Sequence, residues 1–397
     1  MTAAHTNFDV LIIGGGMYGC SIAWWLTQMA DFTGRVLVIE RDPTYETAAT
    51  SLTNSCIRQQ FTNETNVRIS QFGAEFIKNF RYFMGDDPDV PELKIQSYGY
   101  LYLADTKAFA DDLRAAQQIQ ARLGAGTKHM TRDEIASDYP FFQLDDIYGA
   151  NHNLVDEGYF DGGTVFDWFK RMAQRNGVEF VAAEVARLIR DGRRVTQVEL
   201  KDGTRISCGT VVNAAGTRAR QLAKTADVDI PVEPRRRYTY IFDAAEPLDR
   251  DLPLTIDPTG VHFRTDGRYY LAGGRPDQDP AVDVDDFAAD HSLWEEKFWP
   301  IIATRIPQFE RIKLVNMWVG HYDYNTLDQN AILGPHPDVE NLIFANGFSG
   351  HGLQQAPALG RGLAEWITFG SYQTLDLTQF SVERVLSDKK FLEKAVI

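Results

Sequence analysis

Cysteine is scarce: Cys20, Cys56 and Cys208 are the only three in 397 residues. An odd, widely spaced set with no CxxC pair excludes a disulfide scaffold or a zinc ribbon and leads us to expect a reduced, cytoplasmic setting. Basic charge is also short. The 40 Lys and Arg face 55 Asp and Glu, giving a net charge of −15. With no basic run either, nucleic acid and anionic membrane surfaces are not expected as partners. No apolar run is long enough for an integral membrane segment, and the N-terminus lacks the basic region and cleavage site of a signal peptide. Internal repeats, low-complexity tracts and metal-ligand spacings are absent too, so no metal site is expected. In so acidic a chain any anionic ligand must be gripped locally, by Arg, His and backbone N–H groups.

What is present begins at Phe8. Residues 9–13 form a short β-branched run that leads into Gly14-x-Gly16-x-x-Gly19, an apolar helix, and a second apolar strand ending in Glu40. This is a βαβ unit with a dinucleotide fingerprint in its proper context. Gly14 permits the tight turn, Gly16 the approach of backbone to a pyrophosphate, and Gly19 the close packing of helix on strand. Met17 and Tyr18 sit at the helix N-terminus, whose N–H groups and dipole suit phosphates. Glu40 stands where a carboxylate accepts hydrogen bonds from ribose hydroxyls.

The next stretch, 41–60, has neither helical nor strand periodicity. Arg41, Ser51 and Ser55 make it a polar segment able to run along a bound dinucleotide, or simply a solvated loop. Residues 66–84 read as one amphipathic helix whose Phe72, Phe76, Phe80 and Phe83 form a core stripe. A Pro/Asp-rich break at 85–92 suggests a lobe boundary. A strand at 99–104 and helices at 106–123, from Thr131 and at 163–176 follow. Asp191-Gly192 and Asp202-Gly203 mark hairpins. A buried strand at 210–213 enters Ala214-Ala215-Gly216 and a helix. Between Val232 and Arg275 the period becomes that of an antiparallel meander. Residues 285–302 read as a long helix and 314–322 as a strand. Last comes strand 341–345, the loop 347–352 and a helix through Trp366. The expected fold is an α/β FAD-binding Rossmann-like domain, discontinuous over 1–85, 145–230 and 326–397. It is joined by an α+β substrate domain with a mostly antiparallel sheet, over 86–144 and 231–325.

On these residues the chain resembles the D-amino-acid oxidase superfamily, nearest its sarcosine oxidase and glycine oxidase branch. The likeness rests on Gly14 to Gly19 with Glu40, on Val211-Val212-Asn213-Ala214-Ala215-Gly216, and on Phe348-Ser349-Gly350-His351-Gly352-Leu353-Gln354-Gln355-Ala356-Pro357. Ile57-Arg58-Gln59-Gln60-Phe61 is similar to a subgroup that includes the mitochondrial FAD-containing complex I assembly factor. The resemblance implies FAD, with backbone near Val185 at the adenine and Gly350, His351, Gly352, Leu353 and Gln354 at the flavin. There a helix N-terminus stabilises the negative charge of the reduced ring. The tryptophan common after the family's NAAG is replaced by Thr217 and Arg218.

The reaction so implied is oxidation of a C–N bond in a small amine or amino acid, with oxygen or another electron acceptor taking the electrons. Arg58 is the candidate clamp for a substrate carboxylate, with a surface salt bridge as its plainer reading. His321 and Tyr322 fall where glycine oxidases carry a carboxylate-binding arginine and some sarcosine oxidases a flavin-linked cysteine. Neither is present, so noncovalent FAD is expected. Gln354 replaces the substrate lysine of monomeric sarcosine oxidases, and Tyr269 to Gly274 lacks their oxygen-activating lysine. Three other readings stay open: a 2-hydroxy acid or glycerol phosphate dehydrogenase using His321 or His351 as base, an assembly or scaffold protein that retains FAD, and a nicotinamide-dependent reductase.

Overall fold

A computed structural model describes residues 6–393. The outermost ends of the two terminal FAD-domain segments, 1–5 and 394–397, lie outside it, as does the first part of the N-terminal stretch judged to lack a signal peptide. The opening strand, Asn7–Ile13, runs parallel to Arg205–Asn213 on one side and to Val36–Glu40 on the other. Glu179–Ala182 and Val339–Asn346 extend this parallel core, and Ile332–His336 closes one edge antiparallel. The central strand is buried on both faces, which accounts for its unbroken apolar run.

Two helices bring their N-termini to the carboxyl ends of these strands. Met17–Gln28 follows the fingerprint, and Gly352–Phe369 follows the last glycine loop. They touch closely because a Cβ on Gly360 would lie 2.1 Å from Ser21 Oγ. Pro357 lies inside the second helix, and its carbonyl and that of Ala356 take further donors from the first. Ser21 Oγ donates to Ala356 O (2.8 Å) and Trp25 Nε1 to Pro357 O (2.9 Å). Trp24, Trp25 and Phe76 fill the layer beneath.

A second eight-stranded sheet stands over the carboxyl ends of the first. It is antiparallel apart from the pairing of Tyr100–Ala104 with Leu254–Ile256. Its long strands, Val232–Ala244 and Ile312–Asn325, are paired along nearly their whole length. Gly149–Asn153, within the segment expected in the first domain, pairs into this sheet. Among the described residues no helix is long and apolar enough to cross a membrane.

Two expected helices differ. The stripe at 66–84 is split into Glu64–Lys78 and Phe80–Phe83 at Asn79, whose side chain donates to the Glu75 carbonyl. Residues 285–302 are helical only from Ser292 onwards. Asp283, Asp286 and Asp290 each accept the backbone N–H two residues ahead, and these Asx turns outcompete the helix. The segment they shape lines the cavity described next through Val284 and Phe287.

Candidate functional site

A cavity of about 330 Å³ runs between the two domains, from Val185 past the fingerprint to the loop 347–352 and the second sheet. Its nucleotide half is built by backbone. Gly14 has φ +99°, and a Cβ there would lie 2.3 Å from the Ala214 carbonyl. Glycine alone therefore lets the ends of the two central strands close over one another. A Cβ on Gly19 would lie 1.9 Å from Gly14 O, so Gly19 packs the helix on the turn and does not line the cavity. Glu40 accepts from Gly15 N (2.7 Å) through one oxygen and from Asp42 N (2.8 Å) through the other. Each oxygen keeps a lone pair for a further donor. Thr50 Oγ1 takes the Met17 N–H (3.0 Å) at the helix N-terminus.

Glu40→Gln keeps the size but leaves an amide group facing one of two backbone donors. It is expected to weaken FAD binding about tenfold, as read by the loss of flavin from diluted protein.

The other end is set by Asp323, on the long strand 312–325. Its Oδ2 accepts the N–H groups of Gly347 (2.8 Å) and Phe348 (3.2 Å), and its carbonyl takes Ser349 N. The loop is thereby tied to the second sheet. Gly350, at φ +93°, lies against the ring of Tyr322, where a Cβ would come within 2.4 Å. Tyr18 stacks on Phe348 with ring centroids 3.6 Å apart. Burial raises the Asp323 carboxyl to about 7, against the pull of its backbone donors. The same burial raises Glu157, behind Arg58, to about 7.

Both folded values lie above those of the unfolded chain, so the folded state holds extra protons between about pH 4 and 7. This stabilisation is complete below the unfolded values and is lost as pH rises through about 7. Chemical denaturation from pH 5 to 8 is expected to show falling stability, with a shallower fall in Asp323→Asn. A profile unchanged by that substitution would remove Asp323 as a source.

Arg58 lies in the cavity wall beneath the second sheet and is 3% exposed. Its Nη2 lies 3.0 Å from His351 Nε2, its Nε donates to Gln60 O (3.4 Å), and its guanidinium sits 4.5 Å from the Phe61 ring centre. A guanidinium only donates, so His351 Nε2 carries the lone pair and its use there leaves that nitrogen no free base. Gln354 Oε1 accepts the Arg58 backbone N–H (2.7 Å). The glutamine thus fixes the arginine instead of replacing a cationic substrate ligand. Around them stand Tyr100, Thr239 and His262, the last joined to Asn54 Nδ2 (3.3 Å). Burial, then the Arg264, Arg237 and Arg58 charges, lower His262 to about 3.

On the opposite wall His321 donates through Nε2 to the Asp286 carbonyl (2.9 Å) and stacks on Phe287, centroids 4.1 Å apart. Burial lowers its pKa, so the ring is neutral and Nδ1 holds the lone pair. Nδ1 has no hydrogen-bond partner among the described residues. The Asx-turn segment is pinned across this wall by Asp285 with Arg218 and Arg41 and by Asp286 with Arg236.

The expected residues Gly14, Gly16, Met17, Tyr18, Glu40, Arg41, Ser55 and Val185 all line the cavity. So do Ala215, Gly216, Arg58, His321, Tyr322 and Gly350 to Gln354. Ser51 does not: it is exposed, its N–H donating to Ala48 O, and Thr50 takes the inward place. Thr50, Asn54, Arg237, His262, Phe287 and Asp323 were not foreseen. Of these only Thr50 and Asn54 lay in a stretch flagged for its hydroxyls and amides.

The fingerprint turn, the Glu40 carboxylate beside it and a second helix N-terminus at the far end fit an extended flavin dinucleotide, and these features define an FAD-dependent oxidoreductase. The chain belongs to the FAD dependent oxidoreductase (DAO) family, whose model matches residues 9–366. It is 36% identical over 98% of its length, and 85% of the relative's, to FAD-dependent oxidoreductase domain-containing protein 1 of Xenopus laevis. It is 25% identical over 95% of its length, and 46% of the relative's, to 4-methylaminobutanoate oxidase (formaldehyde-forming) of Paenarthrobacter nicotinovorans. Among solved structures, L-proline dehydrogenase from P. horikoshii superposes with a TM-score of 0.82 at 25% identity, covering 96% of this chain and 98% of that one.

Proposed function

We propose that this flavoprotein oxidises the C–N bond of an amino acid or a secondary amine that carries a carboxylate. The carrying observation is Arg58, a buried guanidinium in the wall between the glycine loop and the aromatic face of the second sheet. A fork of N–H donors held by His351 and by Gln60 O suits bidentate capture of a carboxylate. With the acid end so fixed, the adjoining carbon is directed at the site framed by Gly350, His351 and Gly352. FAD, when bound, supplies the two-electron acceptor.

The amine must be neutral to lose hydride from the neighbouring carbon. The Arg58 guanidinium on the cavity wall disfavours an ammonium ion there and so favours that form. The resulting iminium adds water and splits to an amine and a carbonyl compound. The chain need provide no base for hydride loss, in keeping with His351 Nε2 being engaged by Arg58. Two of the similar proteins are named for carboxylated secondary amines, 4-methylaminobutanoate and L-proline, and this supports the reading. A cavity lined by polar groups speaks against a purely scaffolding role.

Anaerobic mixing with N-methylglycine, L-proline, 4-methylaminobutanoate, D- and L-amino acids, 2-hydroxy acids and NADH tests it. Bleaching of the flavin by one or more amines is expected; bleaching by hydroxy acids or NADH alone would overturn the proposal.

A further inference from the structure

A second cavity, of about 310 Å³, continues along the same face of the second sheet. The chain passes from one cavity to the other at the two-residue period of extended backbone. Tyr100 lines the first and Tyr102 the second, and Leu254 with Ile256, Tyr322 with Tyr324 and Arg58 with Gln60 repeat the step. Arg237 lines both, its guanidinium held by Asp279 through bonds of 2.9 and 3.1 Å. The two cavities are thus consecutive compartments over one surface.

The second compartment has a polar wall with bonds still to make. Gln60 Oε1, Gln120 Oε1 and the Tyr102 hydroxyl are buried and have no hydrogen-bond partner among the described residues. The residues themselves are 3%, 1% and 5% exposed. Both amide orientations are set from the nitrogen side. Gln60 Nε2 donates to Tyr100 O (3.2 Å) and Glu157 Oε2 (2.8 Å), and Gln120 Nε2 donates to Phe61 O (2.9 Å). Each oxygen is therefore left as an acceptor. Two acceptors and a hydroxyl buried together call for a donor-bearing ligand, since an unmade bond to a buried polar group is costly. Water satisfies such groups until a ligand with matching donors displaces it.

We propose that the substrate is an amino acid, or N-substituted amino acid, whose chain runs past Arg58 and Arg237 into the second compartment and ends there in a hydrogen-bond donor, a hydroxyl or an ammonium group. This rests on the C–N oxidation reading and assigns its substrate class. Arg58 holds the carboxylate at the flavin, and Gln60, Gln120 and Tyr102 hold the far end. Short substrates leave those three unengaged.

Calorimetry on the holoenzyme with unreactive thioethers tests it. The probes are (methylthio)acetate, (butylthio)acetate, (4-hydroxybutylthio)acetate and (4-aminobutylthio)acetate. At least one donor-ended probe is expected to bind about tenfold more tightly than the butyl probe, and the better of the two distinguishes hydroxyl from ammonium. Gln120→Met and Tyr102→Phe, each with FAD content checked, are expected to bring that ratio towards unity. Equal affinity of butyl and donor-ended probes, or a ratio unmoved by both substitutions, overturns the second compartment as a subsite. If N-methylglycine still bleaches the flavin in that case, the C–N oxidation reading stands. Absence of both binding and bleaching overturns the reading together with the inference.

Discussion

Replacing Arg58 by Met is expected to raise the Kd or KM of a carboxylated amine roughly 10²-fold, the usual loss when one partner of a buried charged pair is removed. Methionine keeps much of the side-chain bulk over Phe61 but none of the donors that meet His351 and Gln60 O. Arg58→Lys retains the charge without the planar fork and should fall between the two. The effect must be specific to the acid. With an amine that has no carboxylate, such as N-methylbutylamine, the Arg58→Met and parent proteins should differ little in kcat/KM relative to that 10²-fold loss. An equal loss for both classes of amine would show that Arg58 acts by holding the loop and not by binding substrate.

Gly14→Ala is the second large effect. The backbone there has φ +99° and the new methyl would sit 2.3 Å from the Ala214 carbonyl, inside the fingerprint turn. Neither strand can withdraw without breaking the parallel pairing of Ile13 with Asn213. A destabilisation of about 3 kcal/mol or more is expected, with protein recovered largely free of flavin. Gly177→Ala is the control: φ is +93°, but nothing lies within 4 Å of the added carbon. It should cost only about 1–2 kcal/mol, for the left-handed backbone alone, and retain flavin. Denaturation midpoints and the flavin-to-protein absorbance ratio measure both. A Gly14→Ala protein that keeps full flavin would refute the account of the turn.

The nucleotide half of the site could be read from sequence because its signals are local. Gly14, Gly16 and Gly19 act within one turn, and Glu40 reaches back to Gly15 from the end of the next strand. Strands buried on both faces are also plain in composition, as in residues 9–13. Signals that depend on distant partners were weaker. Gly149–Asn153 is a buried central strand with no β-branched residue, so nothing marked its sheet or its domain. The residues from Asp285 carry helix-forming alanines and apolar spacing, but three aspartates turn the backbone aside. Arg58 stood out by resemblance, yet its holding by His351 and Gln354 joins residues about 300 positions apart. Arg237 sits in an Arg235-Arg236-Arg237 run, where sequence alone does not say which guanidinium turns to the cavity. His262 and Asp323 lie in strands whose facing is decided by register, of His262–Asp266 against Tyr269–Gly274 and of Ile312–Asn325 against Val232–Ala244.

The central claim, C–N oxidation of a carboxylated amine at Arg58, is met most directly by an anaerobic single turnover with product capture. Holoenzyme mixed with one equivalent of a bleaching amine, with a carbonyl-trapping hydrazine present, should yield trapped aldehyde or keto acid in step with the flavin reduced. The Arg58→Met protein should reach the same stoichiometry only at much higher amine concentration. Flavin that bleaches with a hydroxy acid and not with any amine, or bleaches with an amine that remains uncleaved, would contradict the account.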